Sequence, residues 1–143
     1  MRIRDVLAAK PDATVHTVAP ELSVRDLLAR LAEHNVGALV VSADGQSVDG
    51  IVSERDVVRH LHSDAEGLSA PVRTIMTTEV HTCAPEADLD ALMSEMTERR
   101  IRHVPVLEAG RMIGIVSIGD VVKHKISALQ FERDQLDSYV HQT

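Results

Sequence analysis

Apolar residues at Val24, Leu27, Leu28 and Leu31 recur at the spacing of one helix face, and Leu89, Leu92, Met93 and Met96 repeat the pattern further along the chain. Ser23 and Asp88 stand just before these segments, where a side-chain oxygen can accept from the free amides of a first helical turn. After each helix come a short apolar run (36–41 and 101–106), a turn holding Asp44-Gly45 or Ala109-Gly110, and a second run ending at Val52 or Val116. That order predicts a strand hairpin. The stretches "ERDVVRHL" and "IGDVVKHKI" predict a second helix, and short strands near 16–18 and 81–83 complete two units of β-α-β-β-α.

The two units are copies. "VHTVAPELSVRDLLARLAEHNVGALVV" from Val15 matches "VHTCAPEADLDALMSEMTERRIRHVPV" from Val80 at an offset of 65, which becomes 64 beyond the hairpin turn. Each copy has a lead-in, "IRDVL" at Ile3 and "VRTIM" at Val72, and the polar stretch "HSDAEGLSAP" between them reads as a linker. Half a sheet with helices on one face cannot bury its own core. The expectation is an α+β fold in which the two β-α-β-β-α repeats pack as an intramolecular pseudo-dimer, divided into 1–66, 67–127 and a helical extension 128–143.

One motif recurs with chemistry attached: "GIVSERD" at Gly50 and "GIVSIGD" at Gly114. Ser53 with Asp56, and Ser117 with Asp120, place a hydroxyl and a carboxylate at the start of a helix. Free amides and a partial positive charge there favour anions, and a carboxylate can accept two hydrogen bonds from a ribose diol. The same pairs also satisfy the pattern of a capping box, in which serine and aspartate exchange hydrogen bonds with each other's backbone amides. Both roles stay open on the sequence.

Composition narrows the function. Fifteen Lys+Arg against 22 Asp+Glu leave a formal charge of −7, and aromatic residues make up 1% of the chain. A basic face for nucleic-acid backbones and rings for stacking bases are both missing, so no nucleic-acid partner is expected. No run approaches the roughly 20 apolar residues that span a bilayer, so no membrane role is expected. The single cysteine, Cys83, suits a reducing compartment, and the cytoplasm is the expected location.

Catalytic and metal patterns do not assemble. Among eight histidines the tightest group is His60-Leu61-His62, whose rings point to opposite sides of a helix, and no metal is expected. The serine in "GIVSIG" is one place too late for a nucleophile elbow, and no phosphate-loop motif is present. No catalytic residue is assigned.

The tandem arrangement of strand, helix, "VPV", turn, "GIVSxxD" and helix resembles a pair of cystathionine-beta-synthase (CBS) domains, over roughly residues 3–126. The resemblance implies a regulatory module that senses adenosine nucleotides such as AMP, ADP or ATP in clefts between the two domains, with no other cofactor. Asp56 and Asp120 would hold ribose hydroxyls, and Ser53 and Ser117 would contact ribose or phosphate. In the second copy, Thr82, Cys83 and Pro105 would lie against adenine, with Arg102 and His103 near phosphate. The first copy departs from this, with Gly37, Ala38 and Val40 in place of Arg102, His103 and Pro105. There Thr17, Val18 and Ala38 would line the adenine slot and Arg55 would supply the phosphate contact. The second site is thus the better equipped by resemblance.

With about 15 residues outside the repeat, output is expected through a protein target or self-assembly, and the resemblance implies a flat homodimer. Val122, Ile126, Leu129, Leu136 and Val140 lie near a 4-3 spacing, interrupted at Arg133, which predicts a longer final helix that packs on a partner chain, the alternative being a helix that closes on its own core. Two other readings compete. One is a small nucleotide-acting enzyme using Asp120 and His103; the other is an interaction or stability protein with empty clefts.

Overall fold

The computed structural model describes residues 1–11 and 14–141, so two residues between the first lead-in and the first strand and the last two residues of the C-terminal extension lie outside the described residues. The elements run α1 (Ile3–Ala9), β1 (Thr17–Val18), α2 (Val24–His34), β2 (Ala38–Val41), β3 (Gly50–Ser53), α3 (Glu54–Ser63), two short 3-10 helices, α4 (Leu89–Arg99), β4 (His103–Glu108), β5 (Arg111–Ser117) and α5 (Ile118–His141). The predicted α+β repeat is present in both halves.

The local signals act as expected. Ser23 Oγ accepts from the Asp26 amide and Asp88 Oδ2 from the Ala91 amide, starting α2 and α4 alike. Both helices end on a left-handed residue at the same repeat position, Asn35 at φ 53° and Arg100 at φ 55°. In the first copy β1 runs parallel to β2, and β2 is antiparallel to β3. In the second, β4 and β5 form an antiparallel hairpin closed by Ala109 and Gly110.

The expected strand at 81–83 shrinks to one parallel bridge, Cys83 to Val106. Cys83 donates to the Pro105 carbonyl at 3.1 Å and accepts from the Leu107 amide at 2.9 Å. Continuing the ladder toward residue 81 would call on an N–H at position 105. Proline has none, whereas the first copy has Val40 there.

Two buried clusters form the core, and each mixes the copies. One joins Leu89, Leu92, Met96, Val104, Val106, Val116 and Val121 to Ile3 and Val6 of α1. The other joins Val18, Val24, Leu27, Leu31, Leu39, Val41, Val52 and Val57 to Val72 of the second lead-in. Backbone bonds fix the exchange: Ile3 N–H donates to Ala87 O at 3.0 Å and Arg4 N–H to Pro85 O at 2.8 Å. On the other side Val72 N–H donates to Leu22 O at 2.8 Å and Arg73 N–H to Pro20 O at 3.0 Å. The ion pairs Arg4–Glu86 and Arg73–Glu21 repeat the same relation at the surface.

Each lead-in then crosses a glycine of the opposite hairpin. A Cβ at Gly50 would stand 2.6 Å from Met76 Sδ and 2.9 Å from the Thr77 carbonyl oxygen, while one at Gly114 would stand 2.7 Å from Leu7 Cδ2. Thr77 is bonded to Ile51 through both its N–H and its C=O, each at 2.9 Å, so the backbone at Gly50 has little freedom to yield. Gly50→Ala should cost about 1–3 kcal/mol. Gly114→Ala should cost less, because the obstructing atom ends a flexible side chain; urea unfolding of the two variants side by side checks the order.

Candidate functional site

The strand-to-helix junctions carry the repeated motif, and both form the expected capping box. In the first copy Ser53 Oγ accepts from the Asp56 amide at 3.3 Å, and Asp56 Oδ2 accepts from the Ser53 amide at 2.8 Å and the Ser53 hydroxyl at 3.1 Å. In the second, Ser117 Oγ accepts from the Asp120 amide at 3.1 Å and Asp120 Oδ2 from the Ser117 amide at 3.0 Å. The cap engages Oδ2 in each case. Among the described residues Asp56 Oδ1 accepts no hydrogen bond from the protein, so capping leaves a carboxylate oxygen for a ligand.

A cavity of about 760 Å³ opens at the first junction, between the copies. It gathers Ala38, Ser53, Arg55 and Asp56 from the first copy with Arg102 and His103 from the second. Arg102 and His103 stand at the start of β4, at the repeat positions that Gly37 and Ala38 hold at the start of β2, and all four line the cavity. Burial pushes the His103 imidazole below its ordinary pKa, Arg102 and Lys10 push the same way, and Asp120 and Glu54 oppose them. The ring is therefore neutral near pH 7 and can donate or accept one hydrogen bond.

The other candidates lie elsewhere. Thr17, Val18, Thr82, Cys83, Pro105, Ser117 and Asp120 are not in the cavity wall. Val18 is buried in the first core, and Pro105 is buried within β4. Burial, with Glu95 adding to it, pushes the Cys83 thiol up to about 11, so it is protonated at neutral pH and a poor nucleophile. Asp120 faces Lys10 Nζ at 3.1 Å. Burial raises the Asp120 carboxyl, but hydrogen bonds from the Ser117 amide and Lys10, with the Lys10 charge, outweigh it and hold the pKa below the usual range.

The cavity also holds residues that periodicity does not mark: Glu54, Glu79, His81 and Arg100. Arg100 had a usable signal, since it occupies the helix-ending position of Asn35 two residues before Arg102. Glu79 and Lys10 become visible only when "IRDVLAAK" is laid on "VRTIMTTE". His60, of the tight histidine group, has its Nε2 2.9 Å from the Gly67 carbonyl oxygen. Among the described residues no group of three His, Cys, Asp or Glu side chains could hold a metal ion, and no helix is long and apolar enough to cross a membrane.

Comparison with known proteins bears on this architecture. A sequence profile of the CBS domain matches residues 3–63 and again 72–127. A mitochondrial CBS domain-containing protein of Arabidopsis thaliana is 40% identical over 123 residues, which are 82% of this chain and 60% of that protein, so the chain spans less than two thirds of that relative. The crystal structure of a CBS-domain protein from Agrobacterium tumefaciens superposes with a TM-score of 0.82 at 42% identity, covering 87% of this chain and 99% of the other. A CBS domain pair solved in complex with 5'-methylthioadenosine and S-adenosyl-L-methionine shares the fold at a TM-score of 0.75 and 23% identity, covering 90% and 98%.

Proposed function

The chain belongs to the CBS-domain family, with two copies in tandem, and on that premise we propose that it is a regulatory module binding an adenosine nucleotide in the cavity at Asp56. CBS pairs are regulatory modules, and the fold-related pair described above was solved with two adenosyl ligands. The cavity carries the proposal: a volume of about 760 Å³ suits a nucleotide, and its wall joins one diol-accepting carboxylate to several cations.

In this reading Asp56 accepts the ribose hydroxyls through Oδ1 while its Oδ2 remains in the cap. Ser53 and the first-turn amides of α3 meet ribose or phosphate, and Ala38 lies against the base. Arg55, Arg100 and Arg102 neutralise phosphate charge, and a neutral His103 completes the polar wall. Glu54 and Glu79 line the same space and disfavour a ligand with excess negative charge unless the arginines engage it. The nucleotide transmits a signal only if it binds one relative arrangement of the copies more tightly than another.

Thermal unfolding against AMP, ADP, ATP, NADH and S-adenosylmethionine tests the reading. A ligand at 100 times its Kd should add about 2.7 kcal/mol of stability, and Tm should rise by several degrees. No shift with any of these compounds sinks the proposal in favour of an interaction protein.

The output is proposed to pass through a homodimer. Val122, Ile126, Leu129, Leu136 and Val140 are 36%, 50%, 51%, 65% and 63% exposed along the 24-residue α5, which buries only Val121. A second copy of this seam would cover them. Sedimentation equilibrium returning the monomer mass at micromolar concentration would remove the dimer from the scheme.

A further inference from the structure

The two motifs read alike in sequence, but the crossing lead-ins give them opposite companions. Leu7 lies over Gly114 and Met76 over Gly50. Three residues beyond each of these contacts stand Lys10 and Glu79 respectively. The first lead-in thus delivers a cation to the second junction, and the second delivers an anion to the first.

The consequences differ in kind. Lys10 Nζ lies 3.1 Å from Asp120 Oδ2, and the same ammonium donates to the Ile115 carbonyl oxygen at 2.9 Å. The two side chains shield each other, being only 22% and 29% exposed. Glu79 lines the cavity with Asp56, where like charges cannot pair. Asp56 therefore opens on a cavity, while Asp120 is covered by a counter-ion from its own chain.

We propose that Lys10 is the specificity-determining residue that confines nucleotide binding to the first cleft, by holding its ammonium against the cap oxygen Oδ2 of Asp120, so that a ribose seeking Oδ1 meets a paired and partly covered carboxylate. The proposal rests on the nucleotide reading above. A ribose approaching Oδ1 of Asp120 must crowd past an ammonium held by both Oδ2 and the Ile115 carbonyl, and moving it aside leaves that carbonyl to be satisfied again in a half-buried place. Among the described residues no cation is ion-paired with Asp56, and the lead-in residue in its cavity is Glu79. The chain accordingly takes one nucleotide, although it carries two motifs.

Isothermal titration of the full chain with ATP, and separately with AMP, tests this by stoichiometry. The unaltered protein should take one equivalent per chain. Lys10→Met should raise this to two, and adding Asp120→Asn to Lys10→Met should return it to one. Lys10→Gln should also give two: it retains a donor for Ile115 while removing the charge, so it guards against local unfolding of the lead-in in the methionine variant. Two equivalents in the unaltered protein, or one in both Lys10 variants, overturns the role of Lys10 while leaving the nucleotide reading standing. Absence of heat with ATP and AMP in every variant, together with no thermal shift for any of the five compounds above, overturns the nucleotide reading, and the role of Lys10 falls with it.

Discussion

Ile3→Ala should lower the stability of the whole molecule by about 2–5 kcal/mol, the range for emptying a closed core site of most of a large aliphatic side chain. Ile3 is 0% exposed and packs among Leu89, Leu92 and Val104 of the second copy. The amide bonds from Ile3 to Ala87 and from Arg4 to Pro85 hold α1 against that copy, so the site cannot easily collapse around the smaller side chain. The expected drop in Tm is roughly 6–15 °C, taking about 3 °C per kcal/mol for a chain of this size. Were α1 a loosely attached arm, the change would stay within about 0.5 kcal/mol. Differential scanning calorimetry separates the two, and a single transition would show that both copies melt together.

Asp56→Ala should produce two separable losses. Without ligand it removes the acceptor of the Ser53 amide and hydroxyl, which should cost about 1 kcal/mol, the usual worth of a helix cap. With nucleotide at 100 times its Kd it should also lose the binding contribution of about 2.7 kcal/mol, so the liganded difference approaches about 4 kcal/mol. Asp56→Asn divides the two, since its amide oxygen still accepts from Ser53 but its charge is gone. That variant should unfold near the unaltered protein in buffer and fail to respond to ligand. An Asp56→Ala protein that keeps the full ligand shift would move the site away from the first junction.

The local frame was legible because its signals are short-ranged. Ser23 and Asp88 cap helices whose amides lie three residues away, and the heptad-like spacing after Val122 marks a helix that continues to His141. The hairpins were legible as two apolar runs flanking a tight turn, as at Ala109-Gly110, whereas the register, which shifts between Val106 and Leu107, was not. The Ser-Asp motif was visible too, and so was its double meaning, because a capping box uses one carboxylate oxygen and leaves the other. The strand at 81–83 was overestimated: the consequence of Pro105 depends on which neighbour would need its missing N–H.

By itself, the sequence determined a duplicated α+β unit, its helix caps, its hairpins and two candidate diol-binding carboxylates, each by periodicity or by contacts within a few residues. Only the tertiary structure decided that the lead-ins exchange between copies, that Arg102 and His103 share a cavity with Asp56, and that Lys10 covers Asp120. Lys10 meets Ile115 across 105 residues, and such a meeting depends on how two folded surfaces face each other. Hydrophobic periodicity specifies which face of an element is buried, but not which charged residue at its end will stand beside a carboxylate from the other half.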